Sequence, residues 1–277
     1  MSDGLSAERP LLLVGCGNMG LALLKGWLAA GTPPDHIHVI EPGDPSRVLA
    51  AGVLPGQLWT AAPAGLTPRV VLMAVKPQLM ADALPPLAPL ISTDTLLLSI
   101  AAGTTLARLG ALADGHRRVV RAMPNTPAAI GQGATVMVAD SGVAPADRQL
   151  ADQLMAAAGS CYWVDDEALM DVVTALSGSG PAYVFHLIET LGAAGAALGL
   201  PPALAASLAR DTVAGAGALA RQSGEDPAQL RVQVTSPGGT TAAGLGVLMA
   251  DNGLAPLIRA TLEAATQRGR ELGKLAG

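Results

Sequence analysis

Two glycine-rich segments have the spacing of backbone cradles for negatively charged groups. The first, Gly15-Cys-Gly-Asn-Met-Gly20, directly follows an apolar run and opens a helix predicted at Leu21–Ala30. In this G-x-G-x-x-G pattern Gly15 permits a tight turn, Gly17 lets the backbone approach a pyrophosphate, and Gly20 lets helix and strand pack closely. The N–H groups at the helix N-terminus would bind the phosphates of a dinucleotide. The predicted dinucleotide loop therefore comprises Gly15, Cys16, Gly17, Asn18, Met19 and Gly20.

Glu41 is the next residue that could contact a dinucleotide. It lies 21 residues after Gly20, at the end of the second predicted strand, where an acidic side chain hydrogen-bonds the ribose hydroxyls of NAD. The same carboxylate would repel the 2′-phosphate of NADP unless Arg47 on the next turn offsets its charge. A solvated loop acid is the alternative interpretation, and the sequence leaves both open.

A lysine and two prolines follow later strands at the same predicted sheet edge. Ala74-Val-Lys-Pro77 closes the run that begins at Val70, and Pro77 restricts Lys76 to an extended backbone that aims its side chain over the crevice. Lys76 is one of only three lysines, which favours a functional role over that of an ordinary surface lysine. Arg121-Ala-Met-Pro-Asn-Thr-Pro127 ends another strand, and its prolines stiffen the loop where a nicotinamide ring would lie.

The second cradle is Ser236-Pro-Gly-Gly-Thr-Thr241, immediately before a helix predicted to begin near Thr240. Two glycines followed by free helix N–H groups suit a carboxylate. Ser236 could cap the turn or bind the anion, and in a purely structural interpretation one of the two threonines serves only as N-cap. The predicted substrate contacts are Ser236, Gly238, Gly239, Thr240 and Thr241.

Up to about residue 165, short runs that are apolar on both faces alternate with helical stretches, which is typical of a doubly wound α/β layer. The predicted strands are Leu11–Val14, Ile37–Ile40, Val70–Val75, Leu96–Ile100, Val119–Met123, Gly133–Ala139 and Cys161–Val164. Beyond that point only helices are expected: one from about Asp171 that is interrupted at 177–181, and others near 202–223, 240–250 and 254–275. We therefore predict a Rossmann-type α/β domain at 1–165 and an all-α domain at 166–277.

One predicted helix has no polar face. The stretch Leu187–Leu200 is apolar almost all round, so a folded chain must cover it on every side. A domain of about 110 residues has few helices for this purpose. The sequence therefore predicts that a partner subunit covers it.

Composition excludes several classes of protein. Half of the 277 residues are apolar and 14% are charged, which excludes extended disorder. The formal net charge of −5, without a cluster of basic residues, argues against nucleic acid or an anionic membrane as partner. The charge-free stretches 48–68 and 190–209 carry several Gly and Pro, so neither predicts a membrane span. The first 20 residues lack the basic-then-apolar layout of an export signal, and Cys16 and Cys161 have neither metal nor disulfide spacing, so we expect a cytoplasmic chain without structural metal.

The motifs together resemble one enzyme family, pyrroline-5-carboxylate reductase, over residues 11 to 273. The resemblance is carried by the glycine loop, AVKP, RAMPNTP, SGSGPAYVF (177–185) and TSPGGTT (235–241), of which the last two are the most specific. It implies an NAD(P)H-dependent oxidoreductase that transfers a hydride from NADPH or NADH to the C=N bond of Δ1-pyrroline-5-carboxylate. The product is L-proline, formed in the last step of proline biosynthesis.

The resemblance also implies roles for individual residues. The segment Ser236–Thr241 would hold the substrate carboxylate, and Thr241, the candidate catalytic residue, would face the ring nitrogen. Cofactor contacts would come from the glycine loop and from Ala74, Val75, Lys76, Pro77, Ala101 and Ala102. Members are homodimers with intertwined helical domains, often assembled as decamers of five dimers, and each site draws on two chains. The domain at 166–277 would thus bind substrate and form the dimer.

The residue types suit this chemistry, with two departures from the family pattern. Because a protonated iminium already carries its proton, the reaction needs positioning and electrostatics more than a histidine, and all four histidines lie outside the motifs. Members commonly have L-K-D-x-V where this chain has Leu230-Arg-Val-Gln-Val234, which loses an acid. Glu41 stands where small polar residues are common, and it predicts usable activity with NADH.

Three alternatives are weighed against this interpretation. A β-hydroxyacid dehydrogenase of similar architecture needs a lysine in its second domain, but none occurs between Lys76 and Lys274. A reductase of a six-membered cyclic imine, such as piperideine carboxylate, stays open because one methylene discriminates only about 10–200-fold. A dinucleotide-sensing regulator without turnover would have no use for the second cradle.

Overall fold

The computed structural model describes residues 4–276 of the chain and the side chains of residues 4–273. In this part of the chain the strands are β1 (Leu11–Val14), β2 (Ile37–Ile40), β3 (Leu58–Trp59), β4 (Val70–Met73), β5 (Leu96–Ser99), β6 (Val119–Met123), β7 (Gly133–Ala139) and β8 (Gly159–Trp163). The α-helices are α1 (Asn18–Ala29), α2 (Ser46–Ala50), α3 (Met80–Ala83), α4 (Leu106–Leu112), α5 (Pro145–Ala156), α6 (Met170–Val173), α7 (Gly180–Ala197), α8 (Pro202–Ser223), α9 (Pro227–Gln233), α10 (Thr240–Leu248) and α11 (Leu254–Ala276). A π-helix, Thr174–Gly178, lies between α6 and α7.

The strands form one sheet in the order β3-β2-β1-β4-β5-β6-β7-β8. All neighbours are parallel except β6 and β7, so the predicted α/β layer is confirmed. The antiparallel pair follows from the short connection between these strands, residues 124–132, because a parallel crossover needs a dozen residues or more. All seven predicted strands are present, with bounds within two residues of those predicted, whereas the two-residue strand β3 was missed.

Apolar layers cover both faces of the sheet. Leu13 belongs to a cluster with Trp27 of α1 and Leu154 of α5, and the Trp27 indole N–H donates to the Leu154 carbonyl at 2.7 Å. Leu12, which points to the opposite face, belongs to a second cluster with Leu109 of α4. Strands β1, β4 and β5 are buried along their whole length, and the polar side chains Arg121 of β6 and Thr135 of β7 are buried within the sheet as well. The carboxyl ends of β1, β4 and β5 share one edge, which brings the loops after these strands together.

The chain divides into two compact units. One contains the residues up to Ser179 together with those from Ala265 on, and the other is Gly180–Ala264. This division lies later than the predicted boundary at 165/166, because α6 and the π-helix pack with the sheet, and it also runs through α11. The termini of the predicted domains, residues 1–3 and 277, lie outside the described residues. The two domains at 1–165 and 166–277 stay a proposal, because the division into compact units does not test which part binds which ligand.

The unit Gly180–Ala264 is helical, as predicted, and exposes much of its apolar surface. Helix α7 packs closely on α8, where a methyl group added at Gly192 would lie 3.3 Å from the Ala206 Cα. Elsewhere the large apolar side chains are open, with Phe185 63% and Leu198 89% exposed. A unit with so little core of its own needs a further surface to cover it.

No helix within residues 4–276 combines the length and the apolar character that crossing a membrane requires.

Candidate functional site

The glycine-rich loop fills the turn between β1 and α1. Gly15 has φ +83°, and a Cβ there would lie 3.1 Å from the Ala74 carbonyl oxygen. Gly20 is buried, and its Cβ would lie 2.8 Å from the Gly15 carbonyl oxygen. By contrast, Gly17 is exposed and an added Cβ would have no neighbour within 4 Å. Two glycines thus allow close packing, and the middle one faces open space, as the dinucleotide fingerprint predicts.

The N-terminus of α1 is suited to an anion. Gly17 is its N-cap, no side chain caps it, and its first turn carries no acidic residue. The first N–H groups of a helix have no partner within the helix, and the helix dipole places partial positive charge there. The donors present at this end therefore fit the pyrophosphate of a dinucleotide.

Glu41 lies beside this loop, but its carboxylate is already engaged. One oxygen, Oε2, accepts the Cys16 N–H at 2.8 Å, and Oε1 accepts the Gly43 N–H at 2.9 Å. On the next turn, Nη2 of Arg47 donates to Oδ1 of Asn18 at 3.2 Å. The structure brings Glu41 and Arg47 to the loop, as expected. That Glu41 binds ribose hydroxyls stays a prediction.

The loops after β4 and β5 lie at the same edge as the glycine loop. The Ala74 N–H donates to the Val14 carbonyl at 2.8 Å, which ties this loop to the end of β1. Lys76 is exposed on an extended backbone (φ −62°, ψ 145°), as Pro77 predicts. Ala101 is buried and Ala102 is exposed. A cavity of about 550 Å³ opens beside Pro77 and Ala102, so this edge offers room for a ligand.

The loop after β6 carries a positioning contact that the sequence analysis did not single out. The side-chain amide of Asn125 donates to the Ser177 carbonyl at 3.0 Å and accepts the Ala134 N–H at 2.8 Å. It therefore fixes the π-helix that precedes α7. Arg121, in the middle of β6, is buried and forms an ion pair with Glu167 at 3.0 Å. The sequence signal that could have indicated this contact is the polar amide of Asn125 between Pro124 and Pro127.

The second predicted cradle lies at the start of α10. The Gly239 N–H donates to the Ser236 carbonyl at 3.1 Å, which closes a turn in which Gly238 has φ +70°. A Cβ at Gly239 would collide with the Ser236 side-chain oxygen unless that hydroxyl rotated away, and it would lie 3.2 Å from the Ser236 carbonyl oxygen. The N-cap of α10 is Gly239, with no side-chain cap, so neither threonine serves as cap.

The hydroxyl groups of this cradle are therefore available. Ser236, Thr240 and Thr241 are exposed, and none of their side chains hydrogen-bonds another group among the described residues. Backbone N–H groups at the helix start and three hydroxyls thus form a donor set for a carboxylate and one further polar atom.

A carboxylate from outside the 230–234 segment contacts that segment. Nε2 of Gln233 donates to a carboxylate oxygen of Glu225 at 2.7 Å. The Thr235 hydroxyl donates to the Arg231 carbonyl at 2.5 Å, which ends α9 just before the cradle. The Thr235 N–H also donates to the Val232 carbonyl at 3.0 Å, so the turn into the cradle is fixed without an acidic side chain at residue 232.

Comparisons with known proteins agree with these features. A family model described as pyrroline-5-carboxylate reductase dimerisation matches residues 167–272, and one described as NADP oxidoreductase coenzyme F420-dependent matches residues 11–103. The pyrroline-5-carboxylate reductase of Pseudomonas aeruginosa is 41% identical over 268 residues, which cover 96% of this chain and 98% of that protein.

Solved structures give the same result. The pyrroline-5-carboxylate reductase of Coxiella burnetii superposes with a TM-score of 0.88 at 34% identity, over 96% of this chain and 98% of the other. The pyrroline carboxylate reductase of Plasmodium falciparum, solved with NADP bound, has a TM-score of 0.78 at 27% identity, with 96% and 98% covered. The resemblance found in the motifs is confirmed, and the chain belongs to the pyrroline-5-carboxylate reductase family.

Proposed function

We propose that this chain reduces Δ1-pyrroline-5-carboxylate to L-proline with NADPH or NADH. A hydride adds to the carbon of the C=N bond, the ring nitrogen keeps its proton as an amine, and oxidised cofactor is released. The observation that carries the proposal is the start of α10. There, exposed helix N–H groups and uncommitted hydroxyls form a carboxylate cradle in a chain that also has a dinucleotide loop.

The chain's own residues bind and orient the reactants. The N-terminus of α1 and the loops at Ala74–Pro77 and Ala101–Ala102 hold the cofactor, whose reduced nicotinamide supplies the hydride when bound. Ser236 and the backbone of 238–240 hold the substrate carboxylate. The Thr241 hydroxyl orients the ring nitrogen and stabilises its proton. Fixing both partners in this way supplies the rate enhancement through proximity and electrostatics.

Three of the four histidines have other partners, which supports a mechanism without imidazole. Nδ1 of His38 accepts the Trp59 indole N–H at 3.0 Å, and Nε2 of His116 lies 2.8 Å from the Thr95 carbonyl oxygen. Exposed His186 pairs with Glu189 of its own helix. The hydroxyl of Thr241 is therefore the polar side-chain group that we assign to the ring nitrogen.

The chain forms a homo-oligomer through its helical unit, and we propose that the dimers assemble further into decamers in the cytoplasm. The exposed apolar side chains of Gly180–Ala264, such as Phe185 and Leu198, support a large interface. Light scattering coupled to size exclusion tests this, since a decamer has ten times the 27.7 kDa mass of one chain.

The activity test is oxidation of NADPH or NADH with racemic pyrroline-5-carboxylate. We expect Thr241→Ala to lower kcat/KM by about 100-fold, because one donor to the reacting group is lost, and Thr241→Ser to retain most of the activity. Thr261→Ala is the matched control, because that hydroxyl donates to the Leu257 carbonyl within its own helix. No cofactor oxidation by the wild type refutes the function. Wild-type kcat/KM in Thr241→Ala refutes the role of that hydroxyl alone.

The six-membered imine is the comparison substrate. A pyrroline-5-carboxylate reductase should prefer the five-membered ring by about 10–200-fold, which is what one methylene can discriminate. The opposite preference would assign the chain to the alternative substrate while leaving the cradle intact.

A further inference from the structure

We infer that Glu41 is a positioning residue that holds the glycine-rich loop in its binding conformation, rather than a residue that selects the cofactor through its ribose. The inference rests on the dinucleotide site of the proposed function. Its geometric basis is the pair of bonds from the Cys16 and Gly43 N–H groups to the two carboxylate oxygens, at 2.8 and 2.9 Å. Hydrogen bonds to a charged acceptor are about twice as strong as neutral ones.

The sheet fixes where this carboxylate lies. The Glu41 N–H donates to the Trp59 carbonyl at 2.9 Å, and the Gly15 N–H donates to the Ile40 carbonyl at 2.8 Å. The backbone of Glu41 is thus held from β3, and the start of the glycine loop is held from β2. From this place the side chain crosses the turn after β1 and reaches the Cys16 N–H.

The middle of the loop is held at Cys16, by the bond from its N–H to Glu41 and by the packing of its buried side chain in the apolar cluster that contains Leu13. Gly15 has φ +83°, a left-handed backbone conformation, so the extended conformation of β1 ends there. Gly17 is exposed, and no atom lies within 4 Å of where its Cβ would stand. Cys16, between them, is buried and its N–H is bound by Glu41. This bond therefore holds the loop just before the N–H groups that would contact a pyrophosphate.

The charges around the loop fit the same conclusion. Both oxygens of Glu41 accept backbone N–H groups, and Asp44, the other acid of the segment between β2 and α2, accepts the Ser46 N–H at 2.9 Å and its hydroxyl at 2.7 Å. The exposed guanidinium of Arg47 lies at Asn18, the first residue of α1. A 2′-phosphate would therefore meet a cation, and we expect the chain to bind NADPH as well as NADH.

The reactivity of the Cys16 thiol should depend on whether the bond between its N–H and Glu41 is present. Burial, together with the nearby Glu41 carboxylate, raises the pKa of Cys16 to about 11. The thiol is then neutral and shielded at neutral pH, and it should react slowly with alkylating reagents. Release of the loop would expose it.

Ligand binding distinguishes loop support from ribose recognition. We would measure the Kd of ADP and of 2′,3′-dideoxyadenosine diphosphate for the wild type, Glu41→Ala and Asp44→Asn. If Glu41 holds the loop, Glu41→Ala weakens both ligands by the same factor, about tenfold, because the pyrophosphate is common to them. Asp44→Asn removes an equal charge from the segment that also carries Glu41, between β2 and α2, and should change neither Kd by more than about twofold. A loss confined to ADP would overturn the inference in favour of ribose recognition.

A second measurement needs no ligand. Hydrogen exchange of the Cys16 amide, and alkylation of Cys16 in a Cys161→Ser background, should both accelerate about tenfold in Glu41→Ala and stay unchanged in Asp44→Asn. Unchanged exchange in Glu41→Ala would overturn the inference. If the wild type binds no ADP, the proposed function fails, whereas the exchange of Cys16 still decides whether Glu41 holds the loop.

Discussion

Two glycines of the dinucleotide loop should separate ligand binding from folding. At Gly20 a methyl group would lie 2.8 Å from the Gly15 carbonyl oxygen and 3.3 Å from the Ala74 Cβ, and neither atom can rotate away. At Gly17 the same methyl group would point into open space on an allowed backbone (φ −65°, ψ −165°). We therefore predict that Gly20→Ala lowers the stability of the fold and that Gly17→Ala weakens only the binding of the cofactor.

The magnitudes follow from these distances. Overpacking at Gly20 costs about 1–3 kcal/mol, and the better helix propensity of alanine returns roughly 0.5–1 kcal/mol. The net loss of about 1–2 kcal/mol corresponds to a fall in Tm of roughly 2–8 °C for a chain of this size. Gly17→Ala changes only the N-cap, which costs less than about 1 kcal/mol. Its methyl group would occupy the path of the pyrophosphate and should raise the Kd for NADH on the order of 100-fold.

Thermal unfolding and NADH fluorescence measure the two effects separately. The Tm of the free protein should fall for Gly20→Ala and stay near the wild-type value for Gly17→Ala. Saturating NADPH should raise the Tm of the wild type but not that of Gly17→Ala. Gly56→Ala is the control, because that exposed glycine has room for a methyl group and lies outside the loop. A wild-type Kd in Gly17→Ala would show that the pyrophosphate does not approach this residue, and the assignment of the loop would be wrong.

Two further predictions concern buried polar groups. Asp147→Asn should lower the free energy of unfolding by about 3–5 kcal/mol, because it removes the carboxylate that buried Arg69 contacts at 2.7 Å. Tm should fall by on the order of 10 °C. An unchanged Tm would contradict this prediction. Burial lowers the pKa of His38 in the folded chain, so protonation of this histidine favours the unfolded chain. Stability should therefore fall as the pH drops below the ordinary histidine pKa of about 6.5. It should level off once the pH is below the pKa of His38 in the folded chain. His38→Gln, which keeps an acceptor for the Trp59 indole N–H, should remove this part of the pH dependence of Tm, and an identical pH profile would refute the assignment.

The features that the sequence predicted best depend on local pattern. Runs such as Leu11–Val14 are apolar on both faces, and a strand with that pattern must lie inside a covered sheet, so its place followed from a few residues. The reversal of β7 depends instead on the nine residues between β6 and β7, which the prediction treated as an ordinary loop. The division of the chain at the π-helix depends on how α6 packs, and no sequence period reveals that.

In the candidate site, too, the sequence predicted where residues lie better than what they bind. Glu41 at a strand end and Thr241 at a helix start were both assigned as ligand contacts from residue type and spacing. What separates them is that each oxygen of Glu41 already accepts a backbone N–H, whereas the Thr241 hydroxyl has no hydrogen-bond partner among the described residues. The turn that Gly15 makes brings the Cys16 N–H within reach of Glu41, whereas Gly239 takes the N-cap of α10 and leaves the Thr241 hydroxyl uncommitted. Because backbone geometry around neighbouring glycines decides this, a motif identifies where a site lies, and the bonds of each polar group decide what it does there.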